Sequence, residues 1–229
     1  MPGWFRDQAL AELMGSRSAL REARDGIQEM QDAIARAARR LEDVDWAQRG
    51  GDWPPPADRR VLVQEFADQC TAAAAIGSKV GSELAHAQGR LVAARQVVEE
   101  WRPRSAPEQD EQLSLRHRAV GLHRILDEAR MDLERIQASL TRASDAAGEA
   151  LSNGDRTRVE RVHTDLMART LHTATSEGHR VDEAISRVRS QTGTAVLAGD
   201  DAARAARERM RRHRDSPSDA PTPPPGVDR

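Results

Sequence analysis

Two Glu-x-x-His units, Glu83 with His86 and Glu160 with His163, offer a carboxylate and an imidazole three residues apart. On a helix that spacing puts both groups on one face, as in di-iron bundles, where such units meet across the core. A geometric test separates them here. If the chain forms antiparallel rods, the level of Glu83 on the last rod falls about 17 residues from Glu160, or ~25 Å along the axis. The two units therefore cannot share a metal pair. Glu160 also matches Thr157 as a capping box, a plain structural use. Glu22, Glu128 and Glu177 fall level with Glu83, and His86, His123 and His179 fall nearby. The apolar rows already fill the seam, so these groups are expected to flank it and meet solvent.

Other catalytic patterns are missing. The chain has no Tyr, no G-x-S-x-G and no H-E-x-x-H. Gly77-Ser78-Lys79 has the wrong order for a phosphate loop. Cys70 is the only cysteine. Without a basic neighbour to lower its pKa it reads as a small buried thiol. No catalytic residue, metal ligand, cofactor or small-molecule substrate is expected.

The strongest charge signal is Arg204, Arg207, Arg209, Arg211, Arg212 and Arg214, against Glu208 alone. Cations at a helix C-terminus oppose its dipole favourably. The same cluster suits an anionic surface, either lipid or nucleic acid. No aromatics are interleaved, so base stacking is not indicated.

The elements that position these residues are long helices. Leu13, Leu20, Ile27, Ile34 and Leu41 recur in heptad steps, with Ala9, Ser16, Ala23, Met30, Ala37 and Val44 between them. That is the seam of a coiled coil or long bundle. The rows Ala119, Leu126, Leu133, Leu140, Ala147 and Leu115, Leu122, Ala129, Ile136, Ala143, Ala150 repeat the design. A weaker row runs Met167, Leu171, Ala174, Gly178, Val181, Ile185, Val188, Thr192, Ala195; its start, Val159-Val162-Leu166, is offset by one residue, which would shift the stripe around the helix.

Breaks at Gly50 to Pro56, Arg102 to Glu108 and Ser152 to Asp155 divide the chain. Ser105 with Glu108 has capping-box spacing. The expected fold is all-α, an elongated antiparallel four-helix bundle or coiled coil of long helices. It spans residues 1–214, with helices near 4–47, 57–101, 107–151 and 156–213, and a disordered Pro-rich tail over 215–229.

Composition agrees. Aromatics are 3% and charged residues 31%, so a thick core is excluded and long polar helices are favoured. The net charge of −2 excludes a general nucleic-acid binder. Lys79 is the only lysine. The longest apolar run, Ala72 to Ile76, is far short of a membrane span of about 20 residues. The N-terminus lacks a signal-peptide core, so a cytoplasmic address is expected, with signal-less export left open.

Two features are candidate contact elements. Ala73, Gly77, Gly81, Ala85 and Gly89 lie four apart and form a small-residue ridge for close helix packing. Trp4, Phe5 and Trp101 belong to one end of the bundle, and Trp46, Trp53 and Phe66 to the other. They either plug the core ends or, for Trp4, Phe5 and Trp53, anchor a partner or lipid surface.

Ile27-Gln28-Glu29-Met30-Gln31-Asp32 resembles a stretch in the long hairpin of phage-shock membrane-remodelling proteins, over those six residues. The hairpin of helices 1 and 2, with Trp46 and Trp53 near its turn, is similar in outline to small type VII secretion substrates. Their turn carries Trp-x-Gly; here the chain reads Trp46-Ala-Gln-Arg-Gly50. Neither likeness transfers a functional residue. The expected function is a non-enzymatic scaffold or protein–protein interaction module, whose partner is another protein or a second copy of the chain. The alternatives are a helical-hairpin substrate or helper of a type VII-like secretion system, and an anionic-surface binder acting through residues 204–214.

Overall fold

A computed structural model describes residues 3–48, 56–152 and 157–215; for 45–48, 56–59, 157–162 and 195–215 it describes the backbone alone. The described residues form four helices and no strand: α1 (Gly3–Gln48), α2 (Pro56–Glu100), α3 (Ala106–Ser152) and α4 (Thr157–Asp215). The first three have 46, 45 and 47 residues, rods of roughly 70 Å, and α4 has 59. The expected tail lies outside the described residues from position 216.

Each helix packs along its chain neighbour, and α1 closes the ring against α4. Across the diagonals, α1 barely touches α3, and α2 and α4 do not meet among the described residues. The result is an antiparallel four-helix bundle with up-down-up-down connectivity.

The heptad rows explain why it closes. Every member of the two α1 rows is buried, from Ala9 to Val44. So are the α3 rows from Leu115 to Ala147, leaving Ala150 half-buried. On α4, Met167, Leu171, Ala174, Gly178, Val181, Ile185, Val188 and Thr192 face inward. The offset expected at its start does not turn the stripe in the described part. His163 and Met167 carry the seam back along the helix, while Leu166 is exposed. Each buried Leu or Ile contributes roughly 1.5–3 kcal/mol relative to exposure.

A heptad on α2 escaped the sequence reading. Val63, Cys70, Gly77, Leu84, Leu91 and Val98 form one row, and Phe66, Ala73, Val80, Ala87, Ala94 and Trp101 the other, all of them buried. The ridge drawn four residues apart crosses these rows. Ala73 and Gly77 are buried, Gly81 is half-buried, and Ala85 and Gly89 are exposed. Steps of four advance about 40° each around a helix of 3.6 residues per turn, so the ridge winds out of the interface. A Cβ on Gly77 would meet Gln137 and Met30 at 3.2–3.4 Å, whereas one on Gly89 would meet nothing within 4 Å. The tightest of the described glycines is Gly26 on α1, where a Cβ would stand 2.8 Å from Val80 Cγ2.

The α2–α3 corner is tied by polar groups. Gln112 Nε2 donates to the carbonyls of Val98 (2.8 Å) and Trp101 (2.7 Å), which α2 leaves open as it ends. Ser105 Oγ accepts from the Glu108 amide (3.4 Å), and Glu108 accepts from the Arg104 amide (2.7 Å). The carboxylate thus reaches one residue further back than in the usual box.

Candidate functional site

The mid-bundle polar groups do not converge. Glu83 and Glu22 lie in an α1–α2 groove of about 260 Å³ with Asp25, Glu29 and Lys79. His86 and His179 are exposed. His123 pairs with Asp127 (3.1 Å), and Glu128 with Arg124 (3.2 Å). His163 is buried and its Nε2 lies 3.2 Å from Glu149 across the α3–α4 seam. The Glu160 side chain lies outside the described residues. No group of three or more His, Cys, Asp or Glu that could hold a metal ion occurs among the described residues.

Glu177 is the exception to the expectation that this layer meets solvent. It is buried on the α4 seam, beside Gly178. Arg180 pairs with one of its carboxylate oxygens, and Arg135 Nε lies 3.8 Å from the other, which accepts no hydrogen bond. Gln31, whose Nε2 is also buried without a partner, packs beside Gly178. The signal was readable: Glu177 follows Ala174 by three and precedes Val181 by four, which is seam spacing. Gln88 and Asp127, joined at 2.6 Å across α2 and α3, had no comparable signal.

Cys70 is fully buried on the α2 heptad, and burial pushes its thiol pKa up to about 12. The thiolate that nucleophilic or metal chemistry requires is therefore strongly disfavoured. Glu99 moves the other way. A hydrogen bond from Arg95 (2.7 Å) is the main cause holding its carboxyl below the ordinary value, and the charges of Arg95 and Arg116 add to it. Glu99 rims a second groove, about 300 Å³ between α2 and α3, floored by Leu91 and Ala119 and edged by Val92, Val120 and His123.

The described aromatic residues differ in burial. Phe66 and Trp101 are buried and plug the core. Phe5 is half-buried against the core, and Trp4 stacks edge-on against it at 4.9 Å while remaining 56% exposed. The Trp46 side chain and all of Trp53 lie outside the described residues.

The topology brings the start of α1, the α2–α3 corner and the end of α4 to one end of the bundle. Arg6 and Glu111 pair there at 2.8 Å. Arg204, Arg207, Arg209, Arg211, Arg212 and Arg214 lie within the last turns of α4, of which the backbone alone is described. No helix among the described residues is long and apolar enough to cross a membrane. No family model, curated protein or solved structure matches the chain.

Proposed function

We propose that the chain is a non-enzymatic helical scaffold that works by presenting its outer faces to other macromolecules. One observation carries the reading: the heptad rows are consumed inside a closed ring of four helices, which leaves long outer faces unspent. Those faces hold Arg, Glu and Asp at high density, together with exposed Val61, Val92, Leu113, Val120 and Met131. An interface pairs an apolar centre with a polar rim, and Val92 and Val120 edge an α2–α3 groove that Arg95, Glu99 and His123 also line. The buried polar groups are dispersed along the rods rather than gathered at one reacting centre.

Site-specific photocrosslinking in cells that express the full chain tests it. Crosslinkers at Val92, Val120 and Met131 are expected to give discrete adducts, and a crosslinker at buried Leu126 none. Outer positions that yield no adduct, combined with turnover of a small molecule by the purified protein, would replace the scaffold with an enzyme.

A further inference from the structure

Helix α1 sorts its charges between its two flanks. Contacts with α4 define one flank: Gln31 packs on Gly178, Arg17 packs on Gly193, and Arg24 pairs with Asp182 at 3.4 Å. Contacts with α2 define the other: Glu12 pairs with Arg90, Arg40 pairs with Glu65, and Gly26 meets Val80. On the α4 flank Arg17, Arg21 and Arg24 follow at steps of four and three, the spacing of one helix face. On the α2 flank stand Glu22 and Glu29, a heptad apart. With Asp25 on the outer edge and Glu83 of α2, they line the α1–α2 groove of about 260 Å³ against Lys79 alone.

Neither flank is neutralised by its own chain. Arg24 has Asp182, but Arg17 and Arg21 enter no ion pair among the described residues. Arg189 follows Asp182 by a heptad, so it also faces α1, close to the level of Arg21. Its Nε is shielded from solvent without a hydrogen-bond partner. Arg17 with Arg21, and Asp25 with Glu29, are like charges one turn apart, which repel. Arg17, Arg21, Arg24, Glu22, Asp25 and Glu29 are all exposed. Arg21 and Glu22 point apart, because successive residues on a helix do not face each other.

Symmetry decides how two copies can match these flanks. A two-fold axis across the rods keeps each flank on its own side, so like charge meets like. A two-fold axis along the rods exchanges the flanks, so arginines meet carboxylates at the same level, twice over. We propose that the chain self-associates as a parallel dimer, α1 against α1, with the arginine flank of each copy on the acidic groove of the other. The inference rests on the scaffold reading and names one partner, a second copy. A basic segment of another protein would leave the arginines unanswered, and an anionic ligand would leave the groove unanswered. A second copy answers both, with arginine forks suited to carboxylates.

The test is sedimentation velocity of the full chain over a range of concentration and salt. A dimer is expected at low salt, and its dissociation constant should rise at least about tenfold at high salt, where exposed charges are screened. Arg17→Glu with Arg21→Glu makes both flanks acidic, and Glu22→Arg with Glu29→Arg makes both basic. Each double variant should keep its helicity and melting temperature, since the positions are exposed, and should dimerise at least about tenfold more weakly than wild type. Mixed together, the two variants should recover association. Ala11→Cys, exposed on the same outer edge as Asp25, should cross-link to itself, which antiparallel rods would not allow. A monomer at every concentration, wild-type association by both variants, or a mixture that stays monomeric would overturn the proposal. So would a dimer without the Ala11→Cys cross-link. In each of those cases unchanged outer-face crosslinks at Val92 and Val120 would leave the scaffold reading standing.

Discussion

Helices α1 and α4 lie side by side in the bundle, yet they bury different chemistry. The α1 seam is aliphatic from Ala9 to Val44 with Ser16 the only interruption, and Ser16 answers its own helix by donating to the Leu13 carbonyl at 2.7 Å. On α4 the seam includes His163, Thr164, Thr170, Glu177 and Thr192, which are five of the eight buried polar residues among those described. Thr170 and Thr192 are satisfied within α4, by the carbonyls of Leu166 and Val188 at 2.9 and 2.6 Å. Glu177 and His163 each keep a buried atom without a hydrogen-bond partner. Burying a polar group costs free energy that burying a methylene gains. The difference lies in the seam residues themselves, and it leads to the expectation that α4 opens more readily than α1. Helix α4 is also the longest of the four.

The largest effect should come from cutting into the aliphatic side. Ile27→Ala is expected to cost about 2–5 kcal/mol in denaturant unfolding, because Ile27 is fully buried and its neighbours cannot collapse into the space. A cost under about 1 kcal/mol would show that α1 does not lead the core. A pair of glycine changes sharpens the same point. Gly26→Ala drives a methyl into the stiff Val80 side chain and should destabilise by about 1 kcal/mol, overpacking outweighing helix propensity. Gly89→Ala meets open space and should stabilise by roughly 0.5–1 kcal/mol. On the polar side, Glu177→Leu removes a buried carboxylate whose arginine partners are both about half-exposed. It should leave stability unchanged or raise it by about 1 kcal/mol. A loss of several kcal/mol would mean that Glu177 anchors α4 rather than weakening it.

Two smaller effects concern protons. The Cys70 thiol is raised in the folded state, so the native protein holds its proton while the unfolded chain releases it above about pH 8.5. Its contribution is complete below that pH and is lost as pH rises toward about 12, which alkaline unfolding of wild type against Cys70→Ala measures. Native Cys70 should also resist thiol reagents at pH 8. Smallest of all, the carboxyl of Glu99 should titrate below the ordinary glutamate range in nuclear magnetic resonance, and Arg95→Ala should move it upward.

Much of this fold was legible in the chain. Gly50 to Pro56, Arg102 to Glu108 and Ser152 to Asp155 mark three breaks, and heptads on three of the four rods mark the faces that meet. The α2 heptad went unread because Cys70, Gly77 and Ala73 do not look like seam residues in isolation. Their small size suits the close α1 contact, and that size also suggested a ridge of the wrong pitch. Tertiary hydrogen bonds, such as that of Gln88 to Asp127, join residues far apart along the chain and left no local trace. For the candidate surface, residue types were visible from the start: the arginines and Trp4 stand out in the sequence. That they share one end followed from the topology.

The contrast between the two neighbouring helices can be measured in one experiment, native-state hydrogen exchange resolved helix by helix. Amides of α1 from Leu13 to Val44 are expected to exchange only through global unfolding. Those of α4 between Thr164 and Thr192 should open at least tenfold more readily, with the strongest departure around Glu177. Equal protection along both helices, or faster exchange on α1, would contradict the claim that the polar seam makes α4 the loosely held member of the bundle.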